Sequence, residues 1–341
     1  MPLSKIKVLL LNVNREGWHS GNMIYDMEVV KRACNTVFYG PGWPNFTNVD
    51  IFEIIKQVYG SDKPDIIYSY FHENECVGDV YVKRYNIPEH LKFFPKNLGK
   101  INNIVKIFAI SDFWFRKNQE LLKDSKFDYC FGCFVPPYSS PNDFYSFFSE
   151  YNRQTIRFVP CPRCVDKNCY RDYGFPKKYD VISVGSMSPF YPLRVYMHEY
   201  LNVHKDQLGF GYKNFGHCGY NFSHSKFTRE NYARAISESN MLISCGGIYH
   251  LAMNKIFESM GCGAVYVGER PCGYKELHLE DGYNYIVVNR ENFVDKIRYY
   301  LSSTNEMISI VKNAKETFNK YYHIDVRAMD FVNLINENLG K

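Results

Sequence analysis

Short, nearly unbroken apolar runs that each stop at a polar or glycine-rich loop recur along this chain, and they restrict its fold more than any other feature. "IKVLLLNV" (6–13), "TVFYG" (36–40), "PDIIYSYF" (64–71) and "IVKIFAIS" (104–111) come first. "DVISVGS" (180–186), "NMLISC" (240–245), "AVYVG" (264–268) and "NYIVV" (284–288) follow after a long break. Runs without polar alternation fit strands covered on both faces, which means parallel strands flanked by helices. Helical periodicity lies between them, at 23–34, 193–203, 229–239 and 253–260, and three more amphipathic stretches end the chain at 291–302, 305–321 and 324–339. Asn48 is placed to cap a helix over "VDIFEIIKQVYG".

The two sets of strands imply an α/β protein of two Rossmann-like domains with a cleft between them. A chain of 341 residues is long enough for two cores. The break holds the Pro/Ser-rich "FVPPYSSPNDF" (134–144) and the aperiodic "IRFVPCPRCVDKNCYRDYGFPKKYD" (156–180). The expected division is an N-terminal domain over 1–155, a linker over 156–179, a C-terminal domain over 180–322 and a last helix, 323–341, able to pack back on the first domain. In open parallel sheets a ligand binds at the carboxyl ends of the strands, so the loops after the strands are where chemistry is expected.

No window reaches the roughly 18 uninterrupted apolar residues of a membrane span, and the apolar 7–13 is too short for a signal-peptide core. A cytoplasmic location is expected. Eleven cysteines, an odd number in a chain of this size, read as reduced thiols rather than a disulfide framework. The pairs Cys130/Cys133 and Cys161/Cys164 could offer four ligands to zinc, but their separation exceeds the usual zinc-ribbon spacing and the first pair lies in a strand, so no metal site is expected.

Net charge is only +5, yet residues 81–126 hold ten Lys/Arg against four Asp/Glu, a local excess larger than that of the whole chain. Such a segment is either an ordinary solvated surface or a face for an anionic partner.

Several loop features of the second half converge. "VGSMSPFYPLR" (184–194) leaves its strand through Gly185 and Ser186 and reaches Arg194 at a helix start. "SCGGIYH" (244–250) leaves the next strand through Gly246 and Gly247, where missing side chains let backbone N–H groups approach a ligand. The following helix directs its positive N-terminal end at the same place, a phosphate site by construction. Lys255 stands in its first turn and Glu258 three residues on, on the same face. Glu258 either points to solvent or accepts hydrogen bonds from ribose hydroxyls, as carboxylates beside diphosphate sites do.

With these residues in place, "NYARAISESNMLIS…NKIFESMGCGAVYVGE…ELHLEDGYNYIVV…DKIRYYL" resembles the donor half of the GT-B glycosyltransferases, nearest the spore-maturation (CgeB-like) group related to the family 4 retaining enzymes. The resemblance covers about residues 155–325 and extends to the first half only by architecture. It implies GT-B architecture, a nucleoside-diphosphate sugar as co-substrate and no obligatory cofactor or metal. By the same resemblance Glu258 is the ribose residue and Arg194 and Lys255 contact the diphosphate. Retaining relatives often carry a second Glu eight residues before the ribose Glu; here that position is His250, a candidate contact to donor sugar or phosphate or an ordinary loop histidine. Retention is favoured slightly over inversion.

A base for an acceptor hydroxyl would lie after first-domain strands. Candidates are His19 and Glu16, His72 and Glu73, and Asp112, with His19 best placed in its Gly-flanked loop. The acceptor would be an anionic glycan, a lipid-linked saccharide or a modified nucleic acid. An epimerase of the same fold and a non-catalytic nucleotide- or glycan-binding module are the alternatives. The sequence is silent on oligomeric state.

Overall fold

The structure is a computed structural model and describes residues 2–12, 14, 21–70, 95–110, 125–132, 156–217 and 229–339. The chain divides into two compact units: Met1–Trp18, Met27–Pro162 and Ala328–Lys341 make one, and His19–Asp26 and Arg163–Arg327 the other.

The first unit is built on six parallel strands: β1 (Lys7–Leu11), β2 (Asn35–Tyr39), β3 (Ile66–Tyr70), β4 (Val105–Ile110), β5 (Tyr129–Gly132) and β6 (Arg157–Pro160). Their order is β2-β1-β3-β4-β5-β6. β6 lies within the stretch that the sequence places in the linker. Arg157 and Pro160 flank only two apolar residues there, so no continuous run betrays the strand. α1 (Gly21–Ala33) joins β1 to β2, and α2 (Ile51–Tyr59) joins β2 to β3.

Asp50, not Asn48, caps α2: its Oδ1 accepts from the N–H groups of Phe52 and Glu53 at 2.9 and 3.2 Å. A cap must stand two to three residues before the donors it serves, and helical geometry begins only at Ile51. Ile51 and Ile54 of α2 join Leu9, Leu11, Ile67, Phe108 and Phe127 in one core layer.

The second unit carries five parallel strands: β7 (Tyr179–Ser183), β8 (Tyr212–Asn214), β9 (Ser239–Ile243), β10 (Val265–Gly268) and β11 (Ile286–Val287), in the order β11-β10-β9-β7-β8. Its helices are α3 (Pro192–Val203), α4 (Arg229–Ser237), α5 (Asn254–Cys262), α6 (Phe293–Ser302) and α7 (Thr304–Tyr321). Val181, Met241, Ile243, Val265 and Val267 form a core layer with Leu193, Met197 and Leu201 of α3 and Phe293 and Ile297 of α6. α5 packs against α4 and α7. Gly261, near the end of α5, is where Tyr170 comes closest: a β-carbon there would meet the Tyr170 carbonyl at 2.4 Å.

The last helix, α8 (Ile324–Leu339), has its first turn in the second unit and the remainder in the first. Phe331 meets Tyr68 and Phe131 edge-on, with centroids 5.7 and 5.6 Å away. The Tyr129 hydroxyl donates to the Asn338 carbonyl at 2.7 Å.

Counted within each unit, the first five strands of both sheets run 2-1-3-4-5. Strand order therefore reverses between β1 and β3 in the first sheet and between β7 and β9 in the second, the point at which an open parallel sheet takes its ligand. The cysteines described are free thiols, and burial pushes those of Cys34 and Cys169 up to about 11 and about 12. Cys133 lies outside the described residues. Among the described residues no helix is long and apolar enough to cross a membrane, and no cluster of three or more His, Cys, Asp or Glu could hold a metal.

Candidate functional site

The carboxyl ends of β7 and β9 are adjacent, Ser183 pairing with Ile243. The loop after β7 turns at Gly185, whose φ of +114° is a conformation side chains rarely adopt. A β-carbon built there would lie 2.9 Å from Arg194 Nη1, 3.0 Å from Lys255 Cε and 3.2 Å from Lys255 Nζ. Two cationic side chains from two helices thus close on one glycine at the reversal point of the sheet.

Arg194 belongs to the first turn of α3 and is only 1% exposed. Its Nη1 donates to the Ser186 carbonyl at 3.0 Å; its Nη2 donates to Ser244 Oγ at 3.0 Å and the Cys245 carbonyl at 3.3 Å. The guanidinium also lies 4.1 Å from the centre of the Tyr191 ring. Among the described residues no carboxylate forms an ion pair with it, and its Nε has no hydrogen-bond partner. A buried guanidinium held by neutral groups favours an anion beside it. Lys255 comes from the first turn of α5, where no side chain caps the helix, so the N-terminal end of its dipole adds to the same field.

Glu258 is not at the surface: it is 5% exposed. Tyr232 of α4 donates to its Oε2 at 2.6 Å. Burial pushes its carboxyl above the usual carboxylate range, against the opposite pull of Lys255, the Tyr232 hydrogen bond and Arg163. A buried, chargeable carboxylate one helical turn from a cation needs a reason beyond solubility, and the solvent-facing alternative falls.

The loop after β9 is a tight turn. Leu251 N–H donates to the Gly246 carbonyl at 3.0 Å, and a β-carbon on Gly246 would strike Leu251 O at 2.3 Å. The N–H of Gly246 donates to Glu269 Oε1 at 2.7 Å, so this group is engaged within the protein. Gly247, at φ +75°, lies against the β7 loop, where Ile248 N–H donates to the Phe190 carbonyl at 2.9 Å. His250 follows in the left-handed region and places Nδ1 2.9 Å from Glu269 Oε2.

Arg194, Lys255, Gly185 and Ser186 therefore share one small volume, with Glu258 one turn along α5. His19, Glu16, His72, Glu73 and Asp112 lie outside the described residues. So does most of the basic segment 81–126. Of its described Lys residues, Lys96, Lys100 and Lys126 are exposed, whereas Lys106 is buried and donates to the Ser125 carbonyl at 3.1 Å.

Three residues of the site escape sequence reasoning. Tyr232 reads as part of an ordinary amphipathic helix. Glu269 reads as the polar end of a strand. His217 follows the three-residue β8, which no apolar run announces. The residue is exposed, yet surrounding protein, Lys255 and Arg194 together bring its pKa down to about 4.

Residues 198–333 match a family model described as glycosyl transferase-like. No curated protein sequence matches the chain. Among solved structures, a sucrose-phosphate synthase from Thermosynechococcus elongatus superposes with a TM-score of 0.62 at 11% identity, covering 98% of this chain and 100% of its own. A glycosyltransferase from Rickettsia africae gives 0.61 at 12% identity, with coverage of 98% and 99%. Anabaena Alr3699/HepE, solved in complex with UDP-glucose, gives 0.59 at 13% identity, with coverage of 97% and 100%. The fold is that of the GT-B glycosyltransferases: an α/β chain with two Rossmann-like sheets.

Proposed function

We propose that this protein is a glycosyltransferase that takes a sugar from a nucleoside diphosphate and transfers it to an acceptor hydroxyl. One observation carries the reading: buried Arg194 and half-buried Lys255 converge on Gly185 at the reversal point of the second sheet, with buried Glu258 one turn further along α5. Two cations and a helix N-terminus suit a diphosphate, and the carboxylate suits a ribose. Among the described residues no hydrogen bond engages Glu258 Oε1, which leaves it for a ribose hydroxyl. The match of residues 198–333 and the capture of UDP-glucose by a protein of the same fold support it.

In this reading the second unit binds the donor and the first the acceptor. Arg194, Lys255 and the start of α5 stabilise the departing diphosphate by a preorganised field, which makes a metal unnecessary for that step. His250 stands where a retaining relative has a second Glu, and retention remains the favoured outcome. His19 is the candidate base if the configuration inverts. Exposed Lys96 and Lys100 favour an anionic acceptor: a phosphorylated glycan, a lipid-linked saccharide or a nucleic acid. A cytoplasmic site of action and kinship with the spore-maturation (CgeB-like) group belong to the same proposal.

The test is a calorimetric screen of nucleoside diphosphates and their sugars. A bound nucleotide at 100 times its dissociation constant stabilises the fold by about 2.7 kcal/mol. Binding by one base series, followed by transfer to a glycan panel, supports the reading. Absence of binding across all the common bases overturns it.

A further inference from the structure

Glu269 connects two parts of the β9 loop through one carboxylate. Oε1 accepts the Gly246 N–H at 2.7 Å, and Oε2 lies 2.9 Å from His250 Nδ1. The backbone of His250 is held as well: its N–H donates to the Gly247 carbonyl at 3.0 Å, and its carbonyl accepts from Cys272 N–H at 2.7 Å. The ring is thus aimed by its own backbone and by the acid together. Its side chain is 54% exposed while that of Glu269 is 16% exposed. Among the described residues, His250 Nε2 makes no hydrogen bond.

An ionised carboxylate only accepts hydrogen bonds. The contact at Nδ1 therefore requires a proton on Nδ1. In neutral imidazole the other nitrogen then carries the lone pair. We propose that Glu269 is a positioning residue that fixes His250 in its Nδ1-protonated form, so that Nε2 presents an acceptor to a hydroxyl of the donor sugar. The assignment of a sugar rests on the nucleotide-sugar reading above; the assignment of the tautomer rests on the geometry alone. A glutamate at position 250 could only accept a hydrogen bond from the same hydroxyl, so His250 does with a fixed tautomer what a carboxylate does by charge.

Glu269→Gln distinguishes positioning from mere support. The glutamine carbonyl can still accept from Gly246 N–H, while its amide N–H₂ faces His250 Nδ1 and donates. The loop is kept and the tautomer is reversed. Glu269→Asp, one methylene shorter, keeps the charge and serves as the conservative variant.

The full chain with ¹⁵N-labelled histidine is studied at about pH 8, above the ordinary histidine value, with His250→Gln used to assign the resonance. The expected spectrum has Nδ1 protonated and Nε2 bare in the wild type, and the reverse in Glu269→Gln. A wild-type ring protonated on Nε2, or a tautomer unmoved by Glu269→Gln, overturns the proposal. In parallel, the affinity of a nucleoside diphosphate and of its glucose conjugate is measured by calorimetry with the base that the screen selects. In His250→Ala, loss of one neutral hydrogen bond lowers the sugar-conjugate affinity about fivefold and leaves the free diphosphate unchanged. Equal loss for both ligands, or loss for neither, overturns the sugar contact. If no diphosphate binds the wild type, the nucleotide-sugar reading and the sugar contact fall together, and the spectrum still decides the tautomer.

Discussion

Lys255 and Arg194 come from different helices yet crowd the same face of Gly185, where a β-carbon would stand 3.2 Å from the ammonium and 2.9 Å from the guanidinium Nη1. Two cations that converge on one point repel unless something negative lies between them or water screens them. Because Arg194 is 1% exposed, screening is weak on its side. The pair favours an anion at this point.

Gly185→Ala tests that arrangement. The added methyl has no room beside Arg194, and φ +114° is strained for any side chain. Thermal unfolding should report a loss of about 1–3 kcal/mol. Nucleoside diphosphate affinity should fall by more than about tenfold, the equivalent of some 1.4 kcal/mol. A variant with unchanged affinity would separate Gly185 from the phosphate site.

Glu258→Gln should stabilise the protein at neutral pH and weaken nucleotide binding. Folding raises the carboxyl pKa, with burial the largest cause. The contribution to stability is therefore fully present below the ordinary carboxylate value and is lost as pH rises through the raised one. The neutral glutamine does not incur that loss. Its melting temperature should exceed the wild-type value at pH 7, and the two curves should meet near about pH 4, where the unfolded glutamate is protonated. Wild-type stability that is flat between those limits contradicts the burial argument.

His217 should make diphosphate binding proton-linked. Its pKa of about 4 arises from burial, Lys255 and Arg194. A bound diphosphate offsets both cations, though not the burial, and raises the value, so binding takes up a proton and tightens as pH falls through the raised value toward about 4. Titrations near pH 5.5 in buffers of different ionisation enthalpy measure the uptake. The wild type should show it and His217→Asn should not.

Turnover should persist in EDTA, because protein groups supply the positive field at the leaving diphosphate. Initial rates before and after chelation decide it. Abolition by EDTA and restoration by Mg²⁺ or Mn²⁺ would assign that role to a metal.

Much of this was legible in the chain itself. Strands buried on both faces write themselves as continuous apolar runs, so β1, β3, β4, β7, β9 and β10 and the helices of the second unit stand where the pattern puts them. Two of the edge strands, β6 and β8, do not, whereas β2 and β11 do. β8 is three residues long and half-exposed, and β6 has an arginine and a proline at its ends. Residues of the candidate site could be proposed from sequence when one element carried them together, as α5 carries Lys255 and Glu258. Glu269, His217 and Tyr232 reach the site from other elements, and no local spacing encodes that meeting. The glycines of "SCGG" were readable as a tight turn, but the engagement of the Gly246 N–H by Glu269, 23 residues away, was not.

The last helix sets the order in which the protein can be completed on the ribosome. β1 to β6 emerge early, whereas Phe331, which packs on both Tyr68 and Phe131, emerges only after the strands of the second unit. The first unit is therefore begun first and finished last. Throughout synthesis of the second unit, two aromatic rings of the nascent first sheet lack the side chain that covers them, a long interval in which a chaperone has something to hold. A fragment that stops at Pro162 keeps all six strands and remains permanently in that unfinished state.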